Sequence, residues 1–206
     1  MKSSVRVILA SLTIIVFAAG VLIIFWKQEL KYSLPTPVPY NYQSVAIGEK
    51  ITLPASLQKD QAYFIHFYSA ECPCSRFNAR HIQSLIRSYQ DSIAFIIVVR
   101  TSQDKTKALK LFGSDLQVLI DNHEDIAKAC GVYSTPQAAI IDKNGNLFYR
   151  GNYNRSRYCT TRASNFAELS LVALLNDQPL PTFGILATQS YGCELSPAET
   201  AELEFF

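Results

Sequence analysis

Two cysteines flank one proline in residues 67–78, FYSAECPCSRFN, where an apolar run gives way to an amphipathic one. If Cys72 is the N-cap of the next helix and Pro73 its first residue, the Cys72 sulfur lies against unpaired amides at the positive end of the helix dipole. Such a place lowers the pKa of a thiol and favours the nucleophilic thiolate. Arg76 would favour the thiolate and Glu71 would oppose it. The pattern indicates thiol chemistry at Cys72.

Cys74 is the nearest candidate partner for Cys72. Residues two apart in a kinked backbone can approach the Cα separation of roughly 4.4–6.8 Å that a disulfide needs, although the fixed φ of Pro73 can equally forbid it. The small ring would be strained, which raises its reduction potential and favours exchange over a structural role. If the geometry forbids the ring, Cys72 is the attacking thiol and its resolving partner comes from elsewhere.

Alternating strand and helix patterns surround these cysteines. One apolar stripe predicts a helix from Cys74 to Tyr89, and an Asn-Gly turn in DKNGNLFYRG predicts a hairpin strand. The order of the elements predicts an α/β sandwich with parallel central strands closed by an antiparallel pair. Four apolar runs are typical of strands buried on both faces of a sheet: QAYFIHFYSA, SIAFIIVVR, QVLID and AAIID.

The N-terminus has the composition of a membrane anchor. Residues 7–26, VILASLTIIVFAAGVLIIFW, carry no charge, and at 1.5 Å per residue they reach roughly 30 Å, the hydrocarbon thickness of a bilayer. The apolar run continues beyond the point where a signal peptide would be cleaved, so we expect an uncleaved transmembrane anchor. The short leader favours a cytoplasmic N-terminus, which predicts a single-pass protein of the inner membrane with its domain on the periplasmic, extracytoplasmic side.

These patterns divide the chain into five parts. They are a cytoplasmic leader (1–6), the anchor (7–26), a proline-containing spacer (27–44), an α/β domain (45–178) and a less regular tail (179–206). A net charge of +2 gives no support to nucleic-acid binding. Five cysteines suffice for redox chemistry but are too few for a miniprotein built on disulfides.

The motifs and their order resemble the thioredoxin-like superfamily. The resemblance rests on a strand ending HFYSAEC, a helix starting after Cys72 and the later GVYSTPQAAIIDKNGNLFYRG, and covers roughly residues 45–193. ECP and TPQAAIIDKNGNLFYRG are most similar to redoxin-type proteins, the broad group of peroxiredoxins and thiol-disulfide oxidoreductases. The resemblance implies a thioredoxin-like fold, a central mixed sheet flanked by helices, and exchange with protein thiols or disulfides, a small thiol or a peroxide.

The C-P-C-S sequence departs from both groups of this superfamily. A thioredoxin-type centre has a second cysteine three residues after the first, where this chain has Ser75, and the second thiol has moved to Cys74. A peroxiredoxin-type centre has a proline seven residues before its cysteine and a threonine three before it. This chain has Ile65 and Ser69 there.

The resemblance implies roles for four further residues. Pro136, in STPQ, stands where the fold keeps a cis peptide, so Thr135 would present its backbone to a peptide or thiol substrate. Cys130 comes within reach of the site as a resolving thiol, or is a small core residue. His66, six residues before Cys72, stands where thioredoxins hold a buried acid. It would accept the proton of a resolving thiol, or be a buried histidine bonded to backbone.

Two further cysteines follow the hairpin. Outside the cytoplasm, a structural disulfide between Cys159 and Cys193 is the natural expectation because it would pin the tail to the domain. Two unpaired thiols are the alternative, and the sequence alone does not determine connectivity.

Two functions compete with thiol exchange. Cys72, Cys74 and His123 form a soft ligand set for Cu(I), and membrane-anchored copper-delivery proteins share the fold, although their cysteine spacing differs. A non-catalytic binding module that has lost its dithiol is the other alternative.

We therefore expect a membrane-anchored extracytoplasmic thiol-disulfide oxidoreductase without a cofactor. Cys72 is its nucleophile, and Cys74 or Cys130 is its resolving thiol. The substrate, the direction of electron flow and the electron donor stay open.

Overall fold

The structure is a computed structural model that describes residues 2–28, 30, 34–55, 57, 60–155 and 161–195. Its contacts divide the chain into two compact units, Met1–Leu34 and Pro35–Phe206. Cys159, the expected disulfide partner of Cys193, lies outside the described residues.

The first unit contains helix α1, Lys2–Gln28. Its stretch Ser3–Lys27 has a mean hydropathy of 2.9 and is long and apolar enough to cross a membrane. This confirms the expected apolar N-terminal helix. The helix is as long as the hydrocarbon core of a bilayer requires.

The second unit is organised around a five-stranded mixed sheet with the order β3-β2-β1-β5-β6. Strands β1, β2 and β3 are parallel to one another, while β5 is antiparallel to both β1 and β6. A separate two-stranded antiparallel sheet joins β4 to β7. The strands are β1 (Tyr63–Phe67), β2 (Ala94–Val99), β3 (Gln117–Ile120), β4 (Ser134–Thr135), β5 (Gln137–Ile141), β6 (Leu147–Gly151) and β7 (Cys193–Glu194).

Helices cover both faces of the sheet because the central strands alternate between two apolar cores. Phe64 and Ile140 belong to one core, with side chains of α2, α3 and α5, whereas Ile65 and Ala139 belong to the other, with side chains of α4. Two-sided burial explains the nearly continuous apolar runs in the sequence. The helices are α2 (Pro73–Tyr89), α3 (Ser102–Phe112), α4 (Asp125–Cys130), α5 (Phe166–Leu175) and the short α6 (Ile185–Thr188).

This arrangement confirms the expected thioredoxin-like fold, a mixed sheet flanked by helices. Strand β1 leads into α2, and β5 returns antiparallel beside β1 with Phe67 opposite Gln137. The residues that follow β1 and those that precede β5 therefore lie at the same edge of the sheet. Cys72 and Thr135 belong to these two groups.

The N-terminal part of the second unit packs against the C-terminal part of the chain. Pro35 forms an isolated bridge with Tyr191, and the Thr36 amide donates a hydrogen bond of 2.8 Å to the Ser190 carbonyl. Some residues of the predicted spacer thus contact the tail directly. The bounds of the five parts drawn from the sequence stay predictions.

Removal of a core side chain on α5 should destabilise the domain. Leu171 is fully buried, whereas Leu169 on the same helix is 38% exposed. We expect Leu171→Ala to lower the free energy of unfolding by about 2–5 kcal/mol, because it leaves a cavity in the core. Leu169→Ala is the matched control and should cost about 0.5 kcal/mol. Urea unfolding of the full chain in detergent, followed by near-UV circular dichroism, measures both, and equal losses would contradict this packing.

Candidate active site

Cys72 is the N-cap residue of α2 and Pro73 is its first helical residue. The backbone of Cys72 is extended, with φ −79° and ψ 118°, and no side chain caps the helix. The Cys72 amide donates to the Ser69 carbonyl at 3.2 Å, and the Arg76 amide donates to the Cys72 carbonyl at 3.3 Å. The side chain therefore starts beside helix amides that have no intrahelical partner, in the field that favours a thiolate.

Cys72 forms a disulfide with Cys193, with a Cα–Cα distance of 5.9 Å across 121 residues of sequence. The bonded partner of Cys72 is thus neither of the expected thiols, Cys74 and Cys130, and Cys193, expected to pair with Cys159, is bonded to Cys72 instead. The resolving roles of Cys74 and Cys130 stay predictions. Cys74 is the second residue of α2, and residues two apart on a helix do not face each other.

Cys130 is a free thiol at the end of α4, fully buried among apolar side chains. Burial raises its pKa to about 12, and the nearby Asp121 carboxylate adds to that effect. A thiol in this environment is a poor nucleophile because it stays protonated at neutral pH. The alternative interpretation of Cys130, as a small core residue, agrees better with this position.

Thr135 brings the two bonded cysteines together through its backbone. In the β4–β7 ladder, Thr135 is paired with Cys193, and the Thr135 carbonyl oxygen lies 3.4 Å from the Cys72 sulfur. The Thr135-Pro136 peptide bond is cis, as the resemblance implied for this position. One residue of β4 thus contacts both halves of the disulfide.

The acidic residue next to Cys72 is neutralised by a partner on α3. Lys107 Nζ lies 2.5 Å from Glu71 Oε1, and this hydrogen bond and the lysine charge lower the pKa of Glu71. Asp104 also belongs to α3, and its Oδ1 accepts a hydrogen bond of 3.0 Å from the Ala70 amide. Helix α3 therefore fixes the loop before Cys72 and compensates the charge expected to oppose a thiolate.

His66 forms a buried pair with Tyr153. The imidazole is fully buried, and its Nδ1 lies 2.8 Å from the Tyr153 hydroxyl. Burial lowers the pKa of His66 to about 3, so the ring is neutral at physiological pH. Sequence reasoning did not single out Tyr153, because it follows β6 in a loop without a recognisable motif.

A second histidine lies on the other side of Tyr153. The ring centroids of His81 and Tyr153 are 6.0 Å apart, and burial lowers the pKa of His81 as well. His81 Nε2 and the Ser75 hydroxyl are buried and have no hydrogen-bond partner among the described residues. Buried polar atoms are nearly always paired, so these two atoms are among the exceptions in the domain.

Residues 43–194 match the model of a protein family described as a domain of unknown function, DUF6436. The chain belongs to the DUF6436 family. The matched range ends just after Cys193 and includes each residue of the site described above.

One curated redoxin is similar to part of the DUF6436 domain. The chain is 28% identical over 93 residues to the thiol-disulfide oxidoreductase ResA of Geobacillus thermodenitrificans, a match over 43% of this chain. That match covers 53% of ResA, so the chain spans about half the length of this curated relative. Together with the topology, the likeness supports membership of the redoxin-type thioredoxin-like superfamily.

Two solved structures share the fold. An uncharacterized conserved protein of Geobacillus kaustophilus has a TM-score of 0.63 and 20% identity, over 82% of this chain and 100% of its own. A hypothetical protein of Sinorhizobium meliloti has a TM-score of 0.59 and 18% identity, over 75% of this chain and 96% of its own. At these identities the likeness concerns the fold alone.

The copper hypothesis gains no support from the described part of the chain. No three His, Cys, Asp or Glu side chains within it group as a metal site. His123 lies in the turn before α4, where its carbonyl accepts a hydrogen bond of 3.1 Å from Lys128 Nζ. The contacts of the site instead join the Cys72 and Cys193 sulfur atoms and the Thr135 backbone.

Buried His66 should make the DUF6436 domain less stable in acid. The unfolded chain binds a proton at this residue near pH 6.5, whereas the folded domain binds it only near pH 3. The free energy of unfolding therefore falls as the pH drops through this interval, by at most ~1.4 kcal/mol per pH unit for one proton. We expect urea unfolding of His66→Gln to depend less on pH than that of the wild type. Equal slopes would contradict the burial of an uncharged His66.

Peptide mapping tests the observed connectivity. In the oxidised full chain with thiols blocked before digestion, we expect one linked pair of peptides that contains Cys72 and Cys193. Cys193→Ser should remove that pair, whereas Cys130→Ala should retain it because Cys130 lies in a core. A link from Cys72 to Cys74 or Cys130 in the wild type would instead support the connectivity expected from the sequence.

Proposed function

We propose that this DUF6436 protein is a thiol-disulfide oxidoreductase with Cys72 as nucleophile and Cys193 as resolving thiol. The observation that carries the proposal is the disulfide between Cys193 and the N-cap of α2, held against the Thr135 backbone. A structural disulfide needs no helix N-terminus, whereas this position lowers the pKa of a thiol and favours its reactive thiolate. Cys193 replaces Cys74 and Cys130, the two resolving thiols expected from the sequence.

The proposed reaction has two exchange steps. In the reduced protein, the Cys72 thiolate attacks one sulfur of a substrate disulfide, forms a mixed disulfide and releases the other substrate sulfur as a thiolate. The Cys193 thiolate then attacks the Cys72 sulfur, forms the observed disulfide and releases the second substrate thiolate. The substrate gains two electrons and the protein dithiol loses them. The same steps in reverse oxidise a substrate dithiol, and both directions are compatible with the site.

Helix α2 stabilises the leaving group of the reverse direction. In the second step of that direction, the second substrate thiolate attacks the substrate sulfur of the mixed disulfide, and the Cys72 thiolate leaves beside the helix amides. A more stable leaving thiolate makes exchange faster. The Glu71–Lys107 ion pair helps because the positive charge of Lys107 offsets the negative charge of Glu71 near the leaving sulfur.

His66 has a weaker case as a proton acceptor than the sequence suggested. Its pKa of about 3 means that a protonated imidazole is unfavourable at this place. A base is most effective when its pKa lies near the working pH. His66 and Tyr153 form a buried hydrogen-bonded pair, and a role of His66 in proton transfer stays a prediction.

The remaining parts of the proposal concern substrate and location. Thr135 and Pro136 would orient a peptide or thiol substrate beside Cys72, and the substrate would be a protein disulfide, a small thiol or a peroxide. Helix α1 would be an uncleaved anchor with the DUF6436 domain on the extracytoplasmic side. The Cys72–Cys193 bond agrees with that side of the membrane, because disulfides persist in oxidising compartments.

Three single substitutions test the assignment of the two thiols. With the full chain in detergent and a small disulfide substrate, we expect Cys72→Ser to lose at least about 99% of the exchange rate, since no nucleophile is left. Cys193→Ser should accumulate a Cys72 mixed disulfide, which mass spectrometry detects. Cys74→Ser distinguishes Cys193 from Cys74 as the resolving thiol. We expect this variant to release the substrate as the wild type does.

Each outcome separates the competing functions. Exchange that survives Cys72→Ser would refute the nucleophile. A mixed disulfide that accumulates in Cys74→Ser but not in Cys193→Ser would return the resolving role to Cys74. A wild-type protein whose disulfide can be reduced but which exchanges with no substrate would support the binding module instead.

A further inference from the structure

Strand β7 pairs with β4 beside Cys72, in the way that an extended bound peptide would. Thr135 pairs with Cys193 and Ser134 with Glu194, and the Leu195 amide donates a hydrogen bond of 3.0 Å to the Tyr133 carbonyl. Backbone pairing thus delivers a cysteine on an extended strand to Cys72. The described residues provide no other strand that pairs with β4.

Polar contacts clamp both ends of this segment, residues 190–195. At one end, the Ser190 carbonyl accepts a hydrogen bond from the Thr36 amide, and its hydroxyl accepts one from Gln137 Nε2, each of 2.8 Å. At the other end, Arg100 donates a hydrogen bond to the Leu195 carbonyl. Cys193 lies between the two clamps, so its position depends on backbone pairing as well as on the disulfide.

Docked in this way, the segment covers the nucleophile. Cys72 is only 2% exposed. A substrate disulfide cannot reach its sulfur while residues 190–195 occupy β4. Exchange with a substrate disulfide therefore requires residues 190–195 to detach from β4. Detachment exposes the backbone N–H and C=O groups of β4.

The position before the cysteine tolerates no side chain. Gly192 has φ +148°, and a Cβ built there would lie 2.1 Å from the Thr135 carbonyl oxygen and 2.9 Å from its carbonyl carbon. Both neighbours are backbone atoms next to Pro136, so they cannot rotate away as a side chain would. A strand that pairs with Thr135 through its cysteine must therefore have glycine immediately before it.

We propose that residues 190–195 are an internal copy of the substrate, and that the site takes extended partner segments with the sequence Gly-Cys. The inference rests on the proposed function of Cys72 and names the substrate class of the same site. Main-chain pairing with β4 supplies affinity, and the contact between residue 192 and Thr135 supplies selectivity. The Cys72 thiolate attacks the partner's cysteine sulfur, and the sulfur formerly bonded to that cysteine leaves as a thiolate.

The test uses two activated peptides and a full-length Cys193→Ser variant in detergent. One peptide, YGCEL, copies residues 191–195, and the other, YACEL, differs only in alanine for glycine. Each carries thionitrobenzoate on its cysteine, and the absorbance of the released thiolate gives the rate. We expect YGCEL to react about tenfold faster than YACEL or more, because alanine prevents the backbone pairing. The Cys72→Ser/Cys193→Ser double variant supplies the background from other thiols.

A second variant tests whether the chain's own segment competes for the site. Gly192→Ala combined with Cys193→Ser should undock residues 190–195 and leave Cys72 in place. We expect this variant to react with YGCEL several-fold faster than Cys193→Ser alone. A rate that does not change would overturn the claim that the segment is an internal copy of the substrate.

Failure of the inference differs from failure of the proposed function. If dithiobis(nitrobenzoate), a small disulfide without a peptide backbone, also fails to react at Cys72 of the Gly192→Ala/Cys193→Ser variant, in which the segment is undocked, the nucleophile assignment is wrong. If it reacts while YGCEL and YACEL react at equal rates, Cys72 is reactive but the Gly-Cys preference is refuted.

Discussion

The pairing of Cys193 with Thr135 is the contact on which the rest of the site depends. The Thr135 backbone pairs with β7, contacts the Cys72 sulfur through its carbonyl and leaves no room for a side chain at residue 192. All three contacts use main-chain atoms, which a neighbouring proline holds in an extended conformation. The site therefore depends on the place of β5 beside β1, because Thr135 lies just before β5.

That place follows from the topology of the sheet. Because β1 and β5 are antiparallel neighbours, the end of β1 and the start of β5 lie at the same edge, and Phe67 is opposite Gln137. Cys72 follows the first strand and Thr135 precedes the second. Apolar side chains on both faces of these strands bury the sheet and fix the register, since a shift of one residue would exchange its two faces.

Local sequence patterns were sufficient for the parts of the site that are near in sequence. Uninterrupted apolar runs predicted the central strands, and a proline after Cys72 predicted the helix start that the structure contains. The partner of Cys72 was not predictable in this way, because Cys193 lies 121 residues away and two residues of strand have no detectable periodicity. A glycine directly before the cysteine was the one local signal, and its meaning depends on the Thr135 carbonyl opposite it. Tyr153 escaped notice for the same reason, since its hydrogen bond to His66 joins residues 87 apart.

Moving the resolving thiol from a helix to a strand changes the order of events in the proposed reaction. In the thioredoxin-type centre that this chain resembles, the second cysteine lies on the same helix as the nucleophile. Ser75 occupies that position here, and Cys193 reaches Cys72 along β4. If the substrate docks along β4 as well, the two strands exclude each other. The substrate strand must then leave the ladder before Cys193 can attack, so strand exchange precedes the second bond exchange, and that bond exchange releases the product.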